Sequence, residues 1–346
     1  MRPRESIELA PFTTLGVGGA ARFFFDAPDA ASVRQALAWA KERGVAVRVL
    51  GGGSNVVVPD GGFDGLVLRP LLRGLRFRDS GSDVEVAVQA GETWDDVVGD
   101  CVERELQGLE CLSGIPGWAG ATPIQNVGAY GQEVAETIDR VDVLDRATLE
   151  TKTLAAAACR FAYRDSRFKS EDPERFVVLG VHFRLRRGGP PSVRYAELTR
   201  YLAELGVERP SLADVRRAVV VLRGKKSMLH DANDENGRSC GSFFTNPVVS
   251  SETAAAIETL SSDPAMPRYP QPDGRVKLAA GWLIERAGFA KGLRKGPVGL
   301  STKHALAIVC HAGASASDVL ALAETIRAGV HERFGVTLVL EPVVWT

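Results

Sequence analysis

The chain has 346 residues, 45% of them hydrophobic, and a formal net charge of −1 at pH 7. This length predicts two or three domains that each bury a core, and the composition excludes a globally disordered chain. The near-zero charge argues against non-specific binding to nucleic acid and against binding to an anionic membrane, because both need a basic surplus.

Cysteine usage and the N-terminal sequence predict a cytoplasmic protein. The five cysteines are odd in number and form no C-x-x-C motif, which favours a reducing compartment over a disulfide framework. No apolar stretch typical of a signal peptide follows Met1. Residues 111–132 carry no charge, but their glycines, prolines and amides predict a loop rather than a membrane span.

Apolar periodicity predicts a mixed α/β chain with a C-terminal α+β unit. Asp29 is expected to cap a helix that Gly44 ends, and Ser211 and Asp214 to start another. Strands are predicted at residues 22–25, 45–50, 56–58, 66–68, 84–88, 141–144, 177–185, 305–310 and 336–340. Further helices are predicted at residues 93–106, 212–222, 252–260, 277–287 and 317–334, with a polar linker at 223–239.

Residues 16–21 satisfy the dinucleotide-binding pattern G-x-G-x-x-A, but in the wrong context. No strand precedes them, and a strand follows where a helix should begin, so a Rossmann site is disfavoured. The chain also lacks G-x-x-x-x-G-K-[ST], which disfavours a P-loop nucleotidase.

A better-placed glycine run directly follows the strand predicted at 45–50. Residues without a Cβ let successive backbone N–H groups converge into a nest for phosphate oxygens, and a serine and an asparagine add side-chain donors. A tight turn between strands is the equally open alternative. The run consists of Gly51, Gly52, Gly53, Ser54 and Asn55.

A second glycine-rich segment covers residues 115–131 and is dominated by small residues and amides. Such a loop can bring its backbone close to a large planar or diphosphate ligand. A buried packing loop is the alternative. A basic cluster at 223–226 is either a solvated helix end or a diphosphate contact.

Arg164 lies in the run Tyr163-Arg164-Asp165-Ser166-Arg167-Phe168. Its planar guanidinium can form two parallel hydrogen bonds with a carboxylate or phosphate. A surface ladder of arginine and aspartate is the more ordinary interpretation. Ser242 lies between a glycine and two phenylalanines, whose rings would exclude water from around its hydroxyl. A core turn is the alternative for this serine, because no G-x-S-x-G elbow exists. Glu341 interrupts an apolar run, either as a strand-edge charge or as a buried acid.

Together and in this order, these segments resemble the UDP-N-acetylenolpyruvoylglucosamine reductases, flavoenzymes of bacterial peptidoglycan synthesis. The resemblance covers nearly the whole chain. The matching stretches are residues 14–19, 50–55, 115–131, 163–168, 241–247, 277–284, 303–305 and 340–342.

The resemblance implies a two-lobed FAD-binding unit of the vanillyl-alcohol-oxidase type, followed by an α+β substrate domain. Its expected boundaries are 1–70 for the first lobe and 71–230 for the second, with a substrate loop near 188–238 and the substrate domain at 231–346. The last residues would return to the flavin. The stretch around Tyr195 resembles the subtype in which a tyrosine-bearing loop closes over the substrate.

The family's chemistry implies non-covalent FAD as cofactor, NADPH as co-substrate and UDP-N-acetylglucosamine enolpyruvate as substrate, with no metal. The reaction reduces a carbon–carbon double bond and serves cell-wall biogenesis, and through it cell shape and division. A monomeric, cytoplasmic enzyme is expected. The alternative is another FAD-dependent oxidase or dehydrogenase of the same fold. Histidine-tethered FAD is not expected, because the first histidine is His182.

Individual roles follow from the resemblance. Arg164 would stabilise an enolate-like oxyanion, Ser242 would give a proton to C2 and a protonated Glu341 would assist. The expected cofactor contacts are Gly51, Gly52, Gly53, Ser54, Asn55, Gly117, Gly120, Ala121, Thr122, Ile124 and Gly128. The expected substrate contacts are Gln125, Tyr130, Tyr195, Lys226, Asn246 and Lys277. The sequence departs from the family pattern at Cys240, Thr245 and Cys310, and Cys240 suggests sensitivity to oxidation.

Overall fold

The computed structural model describes residues 2–346 and divides the chain into two compact units. The first unit contains the N-terminal segment up to Ile7 together with Ala20–Gly53 and Phe63–Leu229. The second unit contains Glu8–Gly19, Ser54–Gly62 and His230–Thr346. Two short early segments thus belong with the C-terminal part of the chain. The domain boundaries expected from the sequence, at 70 and 230, stay a prediction.

The described chain contains twenty strands and eight α-helices. The strands are β1 Arg4–Glu8, β2 Ala20–Ala27, β3 Val47–Val49, β4 Val56–Val57, β5 Phe63–Pro70, β6 Leu75–Ser80, β7 Asp83–Gln89, β8 Leu106–Gln107, β9 Gly128–Ala129, β10 Gln132–Glu133, β11 Ile138–Asp145, β12 Thr151–Ala155, β13 Phe176–Arg187, β14 Val248–Val249, β15 Arg268–Pro270, β16 Val276–Leu278, β17 Arg294–Lys295, β18 Val298–Leu300, β19 Ile308–Cys310 and β20 Val343–Val344. The α-helices are α1 Ala30–Glu42, α2 Trp94–Glu103, α3 Arg167–Ser170, α4 Ala196–Glu204, α5 Leu212–Lys225, α6 Ser251–Ser261, α7 Ala280–Arg286 and α8 Ala316–Phe334.

The first unit begins with a sheet in the order β1-β2-β5-β3, in which β5 pairs in parallel with both β2 and β3. Helix α1 connects β2 to β3, as a parallel arrangement requires. The Asp29 side chain caps this helix by accepting the Ser32 amide at 2.7 Å. Its apolar face, which includes Val33 and Leu37, is buried, so the predicted helix is confirmed.

A larger antiparallel sheet follows, in the order β12-β11-β13-β7-β6. The long strand β13 contributes to two cores: Val177 and Leu179 pack with α1, whereas Val181 and Phe183 pack under α2. The register of β11 against β13 shifts between Asp142 and Val143. Such an irregularity bends the strand and changes which side chains face a given core.

Helices α4 and α5 form a small third core of the first unit, in which Leu198 and Leu202 pack against Val215 and Val219. The predicted capping pair of α5 is confirmed as a reciprocal box between Ser211 and Asp214. Helix α4 was not expected from the sequence. Helix α5 also extends to Lys225, into the stretch predicted as a linker.

The second unit is built around α8, whose buried face includes Val319, Leu322 and Ile326. Sheets β17-β18-β19 and β14-β16-β15 surround this core, and β4 pairs in parallel with β20. Asp60 lies between β4 and β5 and accepts the Ala316 amide at 2.6 Å and the Ser317 amide at 3.0 Å. An early segment of the chain thereby caps the helix that organises the C-terminal core.

Several predicted elements differ from the structure, among them the strand expected at 305–310, which begins only at Ile308. The helix expected at 277–287 begins only at Ala280, because the residues before it form β16 between β14 and β15. The strand expected at 336–340 is an extended segment with one bridge, between Phe244 and Leu340. The helix expected to reach residue 106 ends at Glu103. Within residues 2–346, no helix combines the length and apolar character needed to cross a bilayer.

Candidate active site

The three glycines of the first run, Gly51 to Gly53, form a close-packed cradle in the first unit, whereas Ser54 and Asn55 belong to the second unit. A Cβ on Gly52 would lie 2.8 Å from the Gly117 Cα, so the two glycine-rich segments approach closer than any side chain at this position allows. Gly53 has φ +67°, in the region that favours glycine. Among the described residues, the N–H groups of Gly51 and Gly52 donate to no protein acceptor. Two such amides side by side suit an anionic group such as a diphosphate.

The second glycine-rich segment is held against α2 and β7 by its backbone. The Trp94 amide donates to the Gly117 carbonyl, and the Gly120 amide donates to the Ala90 carbonyl. A Cβ on Gly120 would lie 2.5 Å from the Ala90 Cβ, which explains why only glycine fits. The Thr122 hydroxyl donates to the Ala119 carbonyl at 2.8 Å, so it stabilises this turn.

Asn126 organises the far end of the same segment, a role that sequence reasoning missed. Its amide nitrogen donates to Glu133 at 2.7 Å and to the Ala162 carbonyl at 2.9 Å. Its amide oxygen accepts the Ala135 N–H at 3.1 Å. The residue is buried and has φ +44°, a conformation that asparagine tolerates better than most residues. An asparagine within a glycine-rich run was the available signal.

Arg164 stands on a two-residue turn that packs against this segment. Ala162 and Asp165 exchange backbone hydrogen bonds across the turn, and Arg164 has φ +54°. Its guanidinium donates to the Gly128 carbonyl at 2.6 Å, and the Ser166 hydroxyl donates to the Ile124 carbonyl at 2.7 Å. The structure therefore brings Arg164 to the glycine-rich segment. Gln125, expected at a substrate contact, lies next to Ile124 and is half-buried.

Three of the expected substrate contacts meet in the first unit. The rings of Tyr130 and Tyr195 pack edge to face with centroids 5.6 Å apart, and the Lys226 ammonium lies 5.7 Å from the Tyr130 centroid. Lys226 also forms an ion pair with Glu197 at 2.5 Å. Burial raises the pKa of the Tyr130 hydroxyl to about 12, so at neutral pH this group is a neutral hydrogen-bond donor.

Arg223 adds a buried cation to this region, although the sequence left open that the basic cluster is a solvated helix end. Only 8% of its surface is exposed, and its Nη2 donates to the Met228 carbonyl at 2.7 Å. Burial lowers the pKa of its guanidinium to about 10. The solvated-end interpretation is therefore wrong for Arg223, while Lys225 at the same helix end is exposed.

Ser242 and Glu341 lie on adjacent extended segments of the second unit. The Glu341 amide donates to the Phe243 carbonyl at 3.0 Å, and Phe244 forms a bridge with Leu340. Phe243 and Phe244 are both buried, whereas Ser242 is half-buried. This arrangement puts Ser242 and Glu341 on neighbouring segments, with Glu341 opposite Phe243, the residue next to Ser242.

Asn55, expected at the cofactor, makes its observed contacts with the C-terminal segment. Its side-chain amide donates to the Glu341 carbonyl at 3.3 Å, and its own carbonyl accepts the Val343 amide at 3.0 Å. The neighbouring Ser54 is half-buried. Residues far apart in the sequence are thereby joined around the candidate acid.

Asn246 and Lys277 are neighbours in the second unit. The Asn246 amide oxygen accepts the Ala280 N–H at 2.9 Å at the start of α7. Lys277 is half-buried and pairs in register with Val248 and Tyr269. Lys277 thus lies on the central strand of this small sheet, and Asn246 lies just before the neighbouring strand β14.

The cysteines are buried and unpaired. Burial raises the pKa of the Cys240 thiol well above its usual range, and it raises that of Cys310 to about 11. A buried thiol with a high pKa carries little thiolate and reacts slowly. The structure therefore argues against the sensitivity to oxidation suggested for Cys240.

The glycines at residues 16–21 have a packing role. A Cβ on Gly18 would lie 2.6 Å from the Val58 Cβ, and one on Gly19 would lie 2.2 Å from the Asp60 carbonyl oxygen. These contacts explain the motif without a dinucleotide, in agreement with its unfavourable sequence context. Among the described residues, no group of three or more His, Cys, Asp or Glu side chains is arranged to hold a metal ion.

The chain matches two family models. One, described as an FAD binding domain, covers residues 21–153, and the other, described as the C-terminal domain of UDP-N-acetylenolpyruvoylglucosamine reductase, covers residues 232–345. The backbone amides of Gly51 and Gly52, which donate to no acceptor among the described residues, fit the diphosphate of FAD. Fold and site together define an FAD-dependent oxidoreductase, and the predicted fold class is confirmed.

Similar proteins agree with this class along the whole chain. The UDP-N-acetylenolpyruvoylglucosamine reductase of Thermobifida fusca is 48% identical over 98% of this chain and 97% of its own length. That of Nocardia farcinica is 49% identical over 98% of this chain and 89% of its own. The crystal structure of the Thermus caldophilus reductase superposes with a TM-score of 0.68, at 26% identity and complete coverage of both chains. The chain belongs to the UDP-N-acetylenolpyruvoylglucosamine reductase family.

Proposed function

We propose that this enzyme uses NADPH and FAD to reduce UDP-N-acetylglucosamine enolpyruvate to UDP-N-acetylmuramate, a step of peptidoglycan precursor synthesis. The observation that carries the proposal is the backbone pairing that brings Ser242 and Glu341 onto adjacent segments. A reduction of this double bond needs both a hydride and a proton. FAD, when bound, supplies the hydride transfer from NADPH to the enolpyruvyl group.

The glycine-rich residues would hold the cofactor by backbone contacts. The Gly51 and Gly52 amides, which donate to no acceptor among the described residues, are suited to the diphosphate of FAD. Gly53, Ser54 and Asn55 would complete the turn. The second segment offers a surface with few side chains, on which a planar ring system can lie. The residues of this second surface are Gly117, Gly120, Ala121, Thr122, Ile124 and Gly128.

The proton and the developing charge are assigned to three side chains. Arg164 stabilises the negative charge that grows on the substrate carboxylate as C2 becomes enolate-like. Ser242 gives its hydroxyl proton to C2, because an enolate is a strong enough base to accept it in a water-poor site. Glu341 assists in its protonated form, since an ionised carboxylate would repel the intermediate.

The remaining contacts are assigned to the uridine diphosphate sugar. Tyr130 and Tyr195 offer aromatic surface, and Lys226 offers a charge that is now paired with Glu197. A bound phosphate would compete for Lys226 with that carboxylate. Gln125 is assigned to the junction of cofactor and substrate, and the other predicted contacts are Asn246 and Lys277.

Finer expectations belong to the same proposal. The enzyme acts as a monomer in the cytoplasm, where its unpaired cysteines would stay reduced. Residues 1–70 and 71–230 form the two cofactor lobes, with a substrate loop near 188–238, and 231–346 form the substrate domain. Light scattering after size-exclusion chromatography tests the monomer.

The function is tested by the visible spectrum of the purified protein under anaerobic conditions. We expect the flavin band to bleach on addition of NADPH and to return on addition of UDP-N-acetylglucosamine enolpyruvate. Bleaching without return would leave an FAD-dependent dehydrogenase with a different acceptor. The absence of a flavin band, even with added FAD, would contradict the proposal.

A further inference from the structure

We propose that Asn55 is a positioning residue for Glu341, so that the side chain ending the first glycine run sets the place of the acid. The inference rests on the proposed function and deepens it. The sequence predicts Asn55 as a cofactor contact only. In the structure its polar groups meet the C-terminal segment, 286 residues away along the chain.

Asn55 contacts the C-terminal segment through its side-chain amide and through its backbone carbonyl. Its Nδ2 donates to the Glu341 carbonyl oxygen at 3.3 Å, and its own carbonyl accepts the Val343 N–H at 3.0 Å. Immediately afterwards the two segments continue as the parallel pair β4 and β20, with Val56 opposite Val343. Asn55 is therefore the first point of contact of a continuous pairing.

The Glu341 peptide is held from two directions. Its N–H donates to the Phe243 carbonyl at 3.0 Å, and its C=O accepts from Asn55. The first contact links Glu341 to the segment that carries Ser242, and the second links it to the segment that follows the glycine cradle. Pro342 comes next and has no N–H, so it adds no ladder hydrogen bond of its own.

This arrangement matters because the direction of a side chain follows from its backbone. In an extended segment successive side chains point to opposite faces, so a change in the orientation of the peptide changes where its side chain points. Without the Asn55 amide, the carbonyl of Glu341 loses this hydrogen bond, which joins it to the segment before β4. Small displacements of a catalytic group cost up to about 100-fold in rate.

The test uses Asn55→Asp, which keeps the shape of the side chain but replaces the donor by an acceptor. Because Asn55 is also an expected cofactor contact, the rate at which NADPH bleaches the flavin is the reference for each variant. Relative to that reference, the limiting rate of reoxidation by the enolpyruvyl substrate should fall about 10- to 100-fold. The substrate concentration for half-maximal rate should change little. A role confined to cofactor binding would instead slow both half-reactions equally.

A double-mutant cycle with Glu341→Gln provides the decisive comparison. If Asn55 acts through Glu341, adding Asn55→Asp to Glu341→Gln should slow reoxidation no further. Asn233→Asp is the matched control, because it makes the same amide-to-acid change at an exposed position. If Asn55→Asp fails to fold, Asn55→Ala removes the donor without adding charge and enters the same cycle.

Multiplied losses in the double variant would overturn the proposal, as would equal losses in both half-reactions or a loss of bound FAD. The proposed function fails in a different way. In that case the unsubstituted enzyme itself does not regain its flavin band with the enolpyruvyl substrate.

Discussion

The two units present their candidate site residues by different means. In the first unit, Asn126, Tyr130 and Arg164 stand on turns with φ of 44°, 50° and 54°. Side-chain hydrogen bonds of Asn126 and Arg164 to backbone carbonyls hold these turns. In the second unit, Ser242 and Glu341 stand on extended segments joined by backbone hydrogen bonds. Substitution of Asn126 or Arg164 therefore removes an anchor, whereas substitution of Ser242 or Glu341 leaves the backbone hydrogen bonds in place.

Among the residues of the first unit, the largest effect is expected at Arg164. Arg164→Ala removes both the cation assigned to the oxyanion and the hydrogen bond to Gly128. We expect kcat/KM to fall about 10²- to 10³-fold. Arg164→Lys should recover only part of the loss, because lysine lacks the planar fork.

Arg160 provides a matched control for this substitution. It also has a left-handed backbone, with φ +47°, but its side chain is 65% exposed and paired with Glu171. Arg160→Ala should leave kcat/KM unchanged. Equal losses at both positions would show that turn strain, and not the Arg164 charge, explains the effect.

A smaller effect, on stability and on cofactor affinity, is expected at Asn126. Asn126→Ala removes three hydrogen bonds and puts alanine at a positive φ. We expect the free energy of unfolding to fall by about 3 kcal/mol and FAD to bind more weakly. Denaturant titration and flavin fluorescence measure the two quantities.

Asn126→Asp separates the two causes, because it keeps a residue that tolerates this conformation but loses the donors to Glu133 and Ala162. It should lose nearly as much stability as the alanine variant. A fully stable Asn126→Asp would contradict the assignment of stability to the hydrogen bonds.

The smallest effect concerns Asp145, whose buried carboxylate anchors the turn after β11 in the first unit. It accepts from Lys152 at 2.9 Å and from the Ala147 amide at 3.0 Å. These contacts, that of Lys152 foremost, lower the pKa of Asp145 from 3.8 to about 2. Because the folded pKa is depressed, the stabilisation is full above pH 5 and is lost as pH falls toward 2.

Asp145→Asn should therefore lower the free energy of unfolding by about 2 kcal/mol at pH 7 and by much less near pH 2.5. Asp79→Asn is the control, because Asp79 is 79% exposed and its ion pair with Arg187 contributes little. A pH-independent difference for Asp145→Asn would mean that packing, not charge, explains the loss. In that case the charge of Asp145 would stabilise its turn less than the comparison of the two units assumes.

Sequence patterns indicated candidate residues of the first unit. They did not show how distant segments of the second unit pair around Glu341. Glycine runs and an arginine between aromatic residues are short patterns, so they marked Gly52, Gly120 and Arg164 as candidates while a packing or surface role stayed open. The link between Asn55 and Glu341 joins positions 286 residues apart, and no local pattern encodes it. Residues 336–340 alternate like a strand, yet find a single bridge.

Other differences have the same cause. The apolar pattern at 277–287 suits a helix, but residues 276–278 take the strand form because β14 and β15 offer partners on both sides. Tertiary pairing outweighs local propensity at that point. Helix α4 was missed because much of its surface is polar, and it is stabilised by packing of Leu198 and Leu202 in the core it shares with α5.

The most direct test of the account is the reoxidation half-reaction of Ser242→Ala. Because backbone hydrogen bonds hold this site, the variant should bind FAD and be bleached by NADPH at the normal rate. Its reoxidation by UDP-N-acetylglucosamine enolpyruvate should be slower by about 10²- to 10⁴-fold, since the proton for C2 is gone. Equal losses in the two half-reactions, or reoxidation at the normal rate, would contradict the assignment of Ser242 as the proton donor.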